Sequence, residues 1–95
     1  MICLAVRMTV KAGSEKEVTA SFVKLTEKSR KEPGCAMYVA HQHQDDPRRF
    51  LVYEQYKDVA ALEYHRNTAH FQKYAAGNIY KNVESREADL YVPLS

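Results

Sequence analysis

Hydrophobic side chains recur at every second position in three stretches of the chain, namely Ile2–Val10, residues 35–43 and Arg49–Tyr56. A period of two is typical of strands that bury one face. Residues 87–92 show the same alternation near the end of the chain. Asp45, Asp46 and Pro47 separate the second stretch from the third, and these residue types favour a turn. The pattern therefore predicts four strands, of which the second and third form a hairpin.

A helical period occupies the segment between the first two predicted strands. Val18, Phe22 and Leu25 lie at positions i, i+4 and i+7, which places them on one side of a helix. The segment 14–17 reads Ser-Glu-Lys-Glu, which predicts a capping box with Ser14 as the first residue. The segment 32–34 reads Glu-Pro-Gly and should end the helix.

Weaker helical signals follow the third strand. Asp58 is a plausible N-cap, and Leu62 should point inward with either Val59 or His65. A break at residues 67–68 separates this helix from a second short one, which is predicted over residues 71–76. We expect Gly77 and Asn78 to end it, with a poorly patterned connection over residues 79–85.

The predicted element order is strand, helix, strand, strand, helix, strand. This is the order of the ferredoxin-like, split βαβ class of α+β folds, a four-stranded antiparallel sheet with both helices on one face. We expect residues 1–95 to form a single domain, since 95 residues are too few for two cores. The dry face of the first strand requires a cover, and a second copy of the chain packed sheet against sheet would supply one in a homodimer.

Composition removes several classes of function. Fourteen basic and twelve acidic residues are interleaved, with a net charge of +2, so a nucleic-acid surface is not expected. No apolar run is long enough for a membrane span and no signal peptide is recognisable, so a cytoplasmic location is expected. Three scattered glycines form no nucleotide-binding loop. Cys3 and Cys35 should be buried strand residues, and His41 and His43 should be surface histidines without a metal.

Three blocks of sequence resemble the antibiotic biosynthesis monooxygenase domain family in their order and spacing. They are Glu32-Pro33-Gly34-Cys35 with Tyr38, Phe50 with Glu54-Gln55-Tyr56-Lys57-Asp58, and Leu62 with His65-Arg66-Asn67-Thr68-Ala69-His70-Phe71. The resemblance covers about residues 2–92 and is greatest to the quinol monooxygenase-like branch. It implies a dimeric α+β barrel with a small cavity between sheet and helices in each subunit.

The resemblance also implies a choice among three chemistries. Members of the family act as cofactor-independent oxygenases on quinols and polycyclic phenols, as isomerases of small carbonyl compounds, or as haem-degrading enzymes. The haem branch uses a tryptophan, whereas this chain has none and carries Tyr56 where the family most often has one. We therefore expect no haem and no other cofactor.

Oxygenation without a cofactor requires a base, donors that hold an oxyanion, and a dry pocket. His65 is the expected base, because it follows Leu62 by three residues on one side of a helix and histidine titrates near neutral pH. Its alternative role is to cap the helix end. Glu54 lies on an apolar strand face, where it should orient His65, pair with Arg7, or do both. The expected substrate-binding residues are Arg7, Tyr56, His70, Phe71 and Tyr74, with Arg7 and Tyr74 as candidate oxyanion partners. The alternative role of His70 is a structural hydrogen bond.

The sequence thus predicts a homodimeric monooxygenase that uses oxygen on a small aromatic quinol or polyphenol. A proton-transfer isomerase of a small hydroxycarbonyl metabolite is the nearest alternative, since the same base could move a proton without oxygen. A non-enzymatic dimer that binds small molecules in a stress response is the third. The volume of the cavity beside His65 should help to separate the three, and a pocket filled by its own side chains would favour the non-enzymatic dimer.

Overall fold

The computed structural model describes all 95 residues and contains the predicted strand and helix order. The elements are β1 (Ile2–Val10), α1 (Glu15–Ser29), β2 (Cys35–Gln42), β3 (Arg49–Tyr56), α2 (Val59–Arg66), a π-helix (Phe71–Ile79), a 3-10 turn (Tyr80–Asn82) and β4 (Val83–Tyr91). The strands form one antiparallel sheet in the order β2-β3-β1-β4. The predicted ferredoxin-like fold is confirmed. No helix combines the length and the apolar composition needed to cross a membrane.

The start of α1 differs from the prediction. The hydroxyl of Ser14 donates to the carbonyl of Lys11 at 2.6 Å and makes no hydrogen bond to the helix, so the predicted capping box with Glu17 is wrong. Ser14 has helical backbone angles (φ −95°, ψ −2°), whereas a capping residue is normally extended. Its side chain is therefore turned back toward the preceding residues.

The turn that follows α1 determines where the side chain of Glu32 lies. The helix ends at Ser29, ahead of the predicted Glu-Pro-Gly stop, and Pro33 disfavours helical angles at Glu32. The backbone N–H of Glu32 then donates to the carbonyl of Ser29 at 3.0 Å. This turn holds the side chain of Glu32 inside the protein, where it is buried.

The predicted end of the last helix at Gly77 is also wrong. The π-helix continues through Gly77 and Asn78 to Ile79, and Gly77 has no positive φ. A methyl group on Gly77 would lie only 2.9 Å from the carbonyl oxygen of Gln72. The glycine thus permits a close contact inside the wide helix and does not terminate it. β4 accordingly begins at Val83, four residues before its predicted start.

The sheet has a helix face and an open face. On the helix face, the dry side of β1 packs against α1 in a core that includes Val18, Phe22 and Leu25. The prediction that this dry side requires a second copy is wrong, because the helices of the same chain cover it. The open face carries Cys3, Ala5, Arg7 and Thr9 of β1, with Met37 of β2 and Tyr91 of β4 exposed on the same face. The expected homodimer would use this open face.

Gly34 provides a test of how closely α2 is seated on the sheet. A methyl group added at Gly34 would lie 2.4 Å from the Cβ of Ala61, so Gly34→Ala must displace α2. We expect a loss of about 1–3 kcal/mol in the free energy of unfolding, measured by urea denaturation. Adding Ala61→Gly should recover part of the loss, although this change by itself weakens the helix. Additive effects in this double-mutant cycle would contradict the steric explanation.

Candidate active site

Three elements bring one glutamate and two histidines together. Asp58 caps α2 as predicted, since its carboxylate accepts from the backbone N–H of Ala61 at 2.8 Å. One turn later Leu62 and His65 occupy the buried side of α2, and His65 is 2% exposed. His70 immediately precedes the π-helix, and Glu32 comes from the turn after α1. We call Glu32, His65 and His70 the Glu–His cluster.

A single oxygen atom of the Glu32 carboxylate contacts both histidines of the cluster. The Oε2 atom of Glu32 lies 2.8 Å from Nδ1 of His65 and 2.6 Å from Nε2 of His70. A carboxylate only accepts hydrogen bonds, so both ring nitrogens donate N–H to it. In a neutral imidazole the other nitrogen then carries a lone pair. Glu32 therefore leaves the Nε2 atom of His65 free to accept a proton.

The predicted Glu54 lies at that second nitrogen. Alternation along β3 places Glu54 on the helix face, where its Oε1 atom is 3.7 Å from Nε2 of His65. This is longer than a direct hydrogen bond. The hydroxyl of Tyr56 donates to the same Oε1 atom at 2.6 Å. Glu54 is thus held by Tyr56 and makes no direct hydrogen bond to His65.

Burial shifts the pKa values of Glu54 and His65 in the directions that favour proton transfer near neutral pH. It raises the pKa of the Glu54 carboxyl to about 7, against the hydrogen bond from Tyr56 and the charges of Arg66 and Arg86, which lower it. Burial also lowers the pKa of His65, although the hydrogen bond and charge of Glu32 oppose this. A neutral imidazole therefore lies beside a carboxyl group that exchanges its proton readily near pH 7.

Two tyrosines and one cysteine near the cluster are held in their neutral forms. Burial, followed by the charge of Glu54, raises the pKa of Tyr38 and Tyr56 well above the ordinary value for tyrosine. Burial and the charges of Glu32 and Glu54 raise the pKa of Cys35 to about 11. Cys35 is half-buried and Cys3 is buried, and both are free thiols. Cys35 is therefore unsuited to act as a nucleophile.

A small cavity adjoins His65 and Glu54. Its volume is about 20 Å³, which is enough for about one water molecule. Apart from Glu54 and His65, its walls are hydrophobic or aromatic and come from Val6, Met8, Phe22, Leu25, Tyr38, Val52, Phe71, Ala75, Ile79 and Tyr80. Phe71 contacts the ring of His65 edge-on, with centroids 5.2 Å apart. The expected pocket is present, but side chains fill most of it.

Tyr74 does not line this cavity. It packs against the outside of the core, with the ammonium group of Lys73 5.3 Å from its ring centre, and Ala75 takes the lining position instead. The sequence-based placement assumed α-helical spacing from Phe71. A π-helix has more residues per turn, so the residue four positions later shares the face of Phe71.

Arg7 lies on the wrong side of the sheet for either of its expected roles. Glu54 is paired with Leu4 across β1 and β3, so both side chains point to the helix face. Arg7 is three residues after Leu4 and therefore points to the open face. It is exposed there and does not pair with Glu54 or approach the cavity.

Sequence reasoning also missed Glu32, which it treated only as part of a helix stop. A signal for its burial was present, because Val18, Phe22, Leu25, Ser29 and Glu32 continue one helical stripe with spacings of three and four. All five residues are buried. A carboxylate that continues an apolar stripe should be treated as a candidate for a buried polar partner.

Comparisons with known proteins agree on the relationship. A sequence profile described as antibiotic biosynthesis monooxygenase matches residues 1–77. The Bacillus subtilis protein YcnE, described as a "putative monooxygenase", is 34% identical over 76 residues, which cover 80% of each chain. A solved structure from Nitrosomonas europaea, described as a "putative antibiotic biosynthesis monooxygenase", has a TM-score of 0.93 at 28% identity and covers 100% of both chains. PA3566 from Pseudomonas aeruginosa has a TM-score of 0.90 at 32% identity, over 99% of this chain and 94% of that one.

Proposed function

Because the chain belongs to the antibiotic biosynthesis monooxygenase family, we propose that it oxygenates a small phenol or quinol without a cofactor, with His65 as the base. The observation that carries the proposal is the arrangement at His65. Its Nδ1 atom is occupied by Glu32, while its Nε2 atom lies beside Glu54 at a small, mainly apolar cavity. This provides an oriented base where a substrate hydroxyl would be desolvated.

Deprotonation makes the substrate the electron donor. The Nε2 atom of His65 accepts the hydroxyl proton, and the resulting anion gives up electrons to oxygen far more readily than the neutral quinol. One oxygen atom replaces a ring hydrogen and the other leaves as water. The quinol becomes a hydroxyquinone and loses four electrons, which reduce both oxygen atoms. The reaction therefore needs no external reductant.

Glu54 is the expected partner for the developing anion. With its pKa raised to about 7, the carboxyl retains a proton in a large fraction of molecules near neutral pH. A substrate oxygen between Glu54 and His65 would lose its proton to His65 and accept a hydrogen bond from protonated Glu54. Glu54 thus replaces Arg7 as the proposed oxyanion donor.

Substrate access requires movement of the cavity wall, because an aromatic ring is several times larger than one water. Phe71 and Tyr80 form the outer part of this wall at the two ends of the π-helix, and their rings contact each other with centroids 5.9 Å apart. π-Helical turns are frequent at functional sites. We propose that a substrate ring enters by separating Phe71 from Tyr80.

Oxygen uptake with a panel of quinols tests this function. We expect enzyme-dependent consumption of one oxygen molecule per quinol, with one atom of isotope-labelled oxygen in the product and no accumulation of peroxide. The measurement uses an oxygen electrode and mass spectrometry, with heat-denatured protein as the control for autoxidation. Stoichiometric peroxide, or uptake no faster than autoxidation for every quinol, would contradict the proposal.

The isomerase alternative gains support from the small cavity and from the two proton-transfer groups at its wall. A compact hydroxycarbonyl compound needs less displacement of Phe71 and Tyr80 than a quinol does. Turnover that persists under anaerobic conditions would identify this activity. Ligand binding without turnover under both aerobic and anaerobic conditions would instead identify a binding protein.

A further inference from the structure

We propose that the Glu–His cluster binds a divalent first-row transition-metal ion. One ring nitrogen of His65, one ring nitrogen of His70 and a carboxylate oxygen of Glu32 all lie within 4.8 Å of one another. Two imidazoles and one carboxylate form a ligand set suited to zinc, cobalt, nickel or ferrous iron, and less suited to magnesium or calcium, which prefer oxygen ligands.

The second oxygen of Glu32 is an independent indication of a missing partner. The Oε1 atom is buried and has no hydrogen-bond partner, although the side chain of Glu32 is only 4% exposed. Both imidazoles instead contact Oε2. A buried carboxylate oxygen without a partner is costly. A cation that replaced the two imidazole protons would draw on both oxygens of this carboxylate.

The surroundings of the cluster meet two further requirements of a metal site. The second ring nitrogen of a histidine ligand usually faces a carboxylate, a backbone carbonyl or water, and the carboxylate of Glu54 lies 3.7 Å from Nε2 of His65. An ion also needs a route from solvent. The side chain of His70 is 16% exposed, so an ion could reach the cluster from this side without crossing the core.

The other two histidines provide an internal comparison. Nδ1 of His41 lies 3.1 Å from the carbonyl of Leu51, and Nδ1 of His43 accepts backbone N–H groups from Asp45 and Asp46. Both histidines are exposed, and they are not part of a cluster of three ligands. They can therefore be replaced to measure unspecific binding of metal by surface histidines.

Metal binding and base catalysis would exclude each other at His65. Coordination through Nδ1 places the ring proton on Nε2, which can then donate a hydrogen bond but no longer accept a proton. The metal site goes beyond the proposed oxygenase function and does not depend on it. It is measured without substrate, so failure of one proposal leaves the other testable.

The experiment uses the full chain after treatment with EDTA and removal of the chelator. We expect Zn²⁺ and Co²⁺ to bind with one ion per chain in calorimetry, and Co²⁺ to acquire a visible absorption spectrum typical of nitrogen and oxygen ligands. At a metal concentration about 100 times the dissociation constant, the melting temperature should rise by about 11–22 °C. Mg²⁺ should produce none of these changes.

Variants assign the binding to the cluster. His70→Asn should weaken Co²⁺ binding at least about tenfold, and a partly exposed position should tolerate this change without loss of the fold. The double variant His41→Asn/His43→Asn should bind like the wild-type protein. The proposal is overturned if the wild-type chain binds neither Zn²⁺ nor Co²⁺, if His70→Asn binds with unchanged affinity, or if the double variant loses the binding.

Discussion

His65→Gln is expected to lower kcat/KM for quinol oxygenation by about 10²–10⁴-fold, measured as initial oxygen uptake by EDTA-treated protein. Glutamine retains a donor that can reach Glu32, but its side chain cannot accept the substrate proton near neutral pH. The substrate would then remain in its neutral form, which reacts slowly with oxygen. The loss should be smaller at high pH, where the quinol ionises in solution without help from the protein.

His43→Gln is the matched control. His43 is exposed in the β2–β3 connection, where its ring accepts two backbone N–H groups and lies outside the cavity. We expect its kcat/KM to remain within about twofold of wild type. If His65→Gln retained wild-type activity and a native circular dichroism spectrum, the base would have to be another group.

Glu32→Ala is expected to lower the free energy of unfolding by about 2–4 kcal/mol. The change removes the acceptor for both histidines, and each buried donor without a partner costs about 1–3 kcal/mol, with less for the partly exposed His70. This is a large share of the 5–15 kcal/mol typical of small domains. Urea denaturation followed by circular dichroism measures the effect.

Glu27→Ala, on the helix that precedes Glu32, provides the comparison. The carboxylate of Glu27 lies 3.9 Å from the ammonium of Lys24, and both side chains are 58% exposed. Such a surface pair contributes little, so we expect a change within about 0.5 kcal/mol. If Glu32→Ala destabilised the protein no more than Glu27→Ala, the hydrogen bonds of the Glu–His cluster would not stabilise the fold.

Local patterns were sufficient where neighbouring residues decide the structure. The alternation in Ile2–Val10 and Arg49–Tyr56 predicted β1 and β3 with their observed bounds, and Asp58 caps α2 as expected. The short helix predicted over residues 71–76 is instead a π-helix that runs to Ile79, and Gly77 leaves room for the carbonyl of Gln72 inside it. Standard helical spacing then misplaced Tyr74, although it placed His65 correctly on the buried side of α2.

The sequence by itself carried the resemblance to the family. Its periodicity determined the ferredoxin-like element order and the inward positions of Glu54 and His65, because periodicity and capping act over a few residues. Only the tertiary structure decided which buried groups meet. Glu32 and His65 are separated by 33 positions and joined by one hydrogen bond, and strand register placed Arg7 on the far face of the sheet from Glu54. The cavity volume likewise depends on how Phe71 and Tyr80 pack together. Contacts between distant segments are set by the packing of whole elements, which no local pattern specifies.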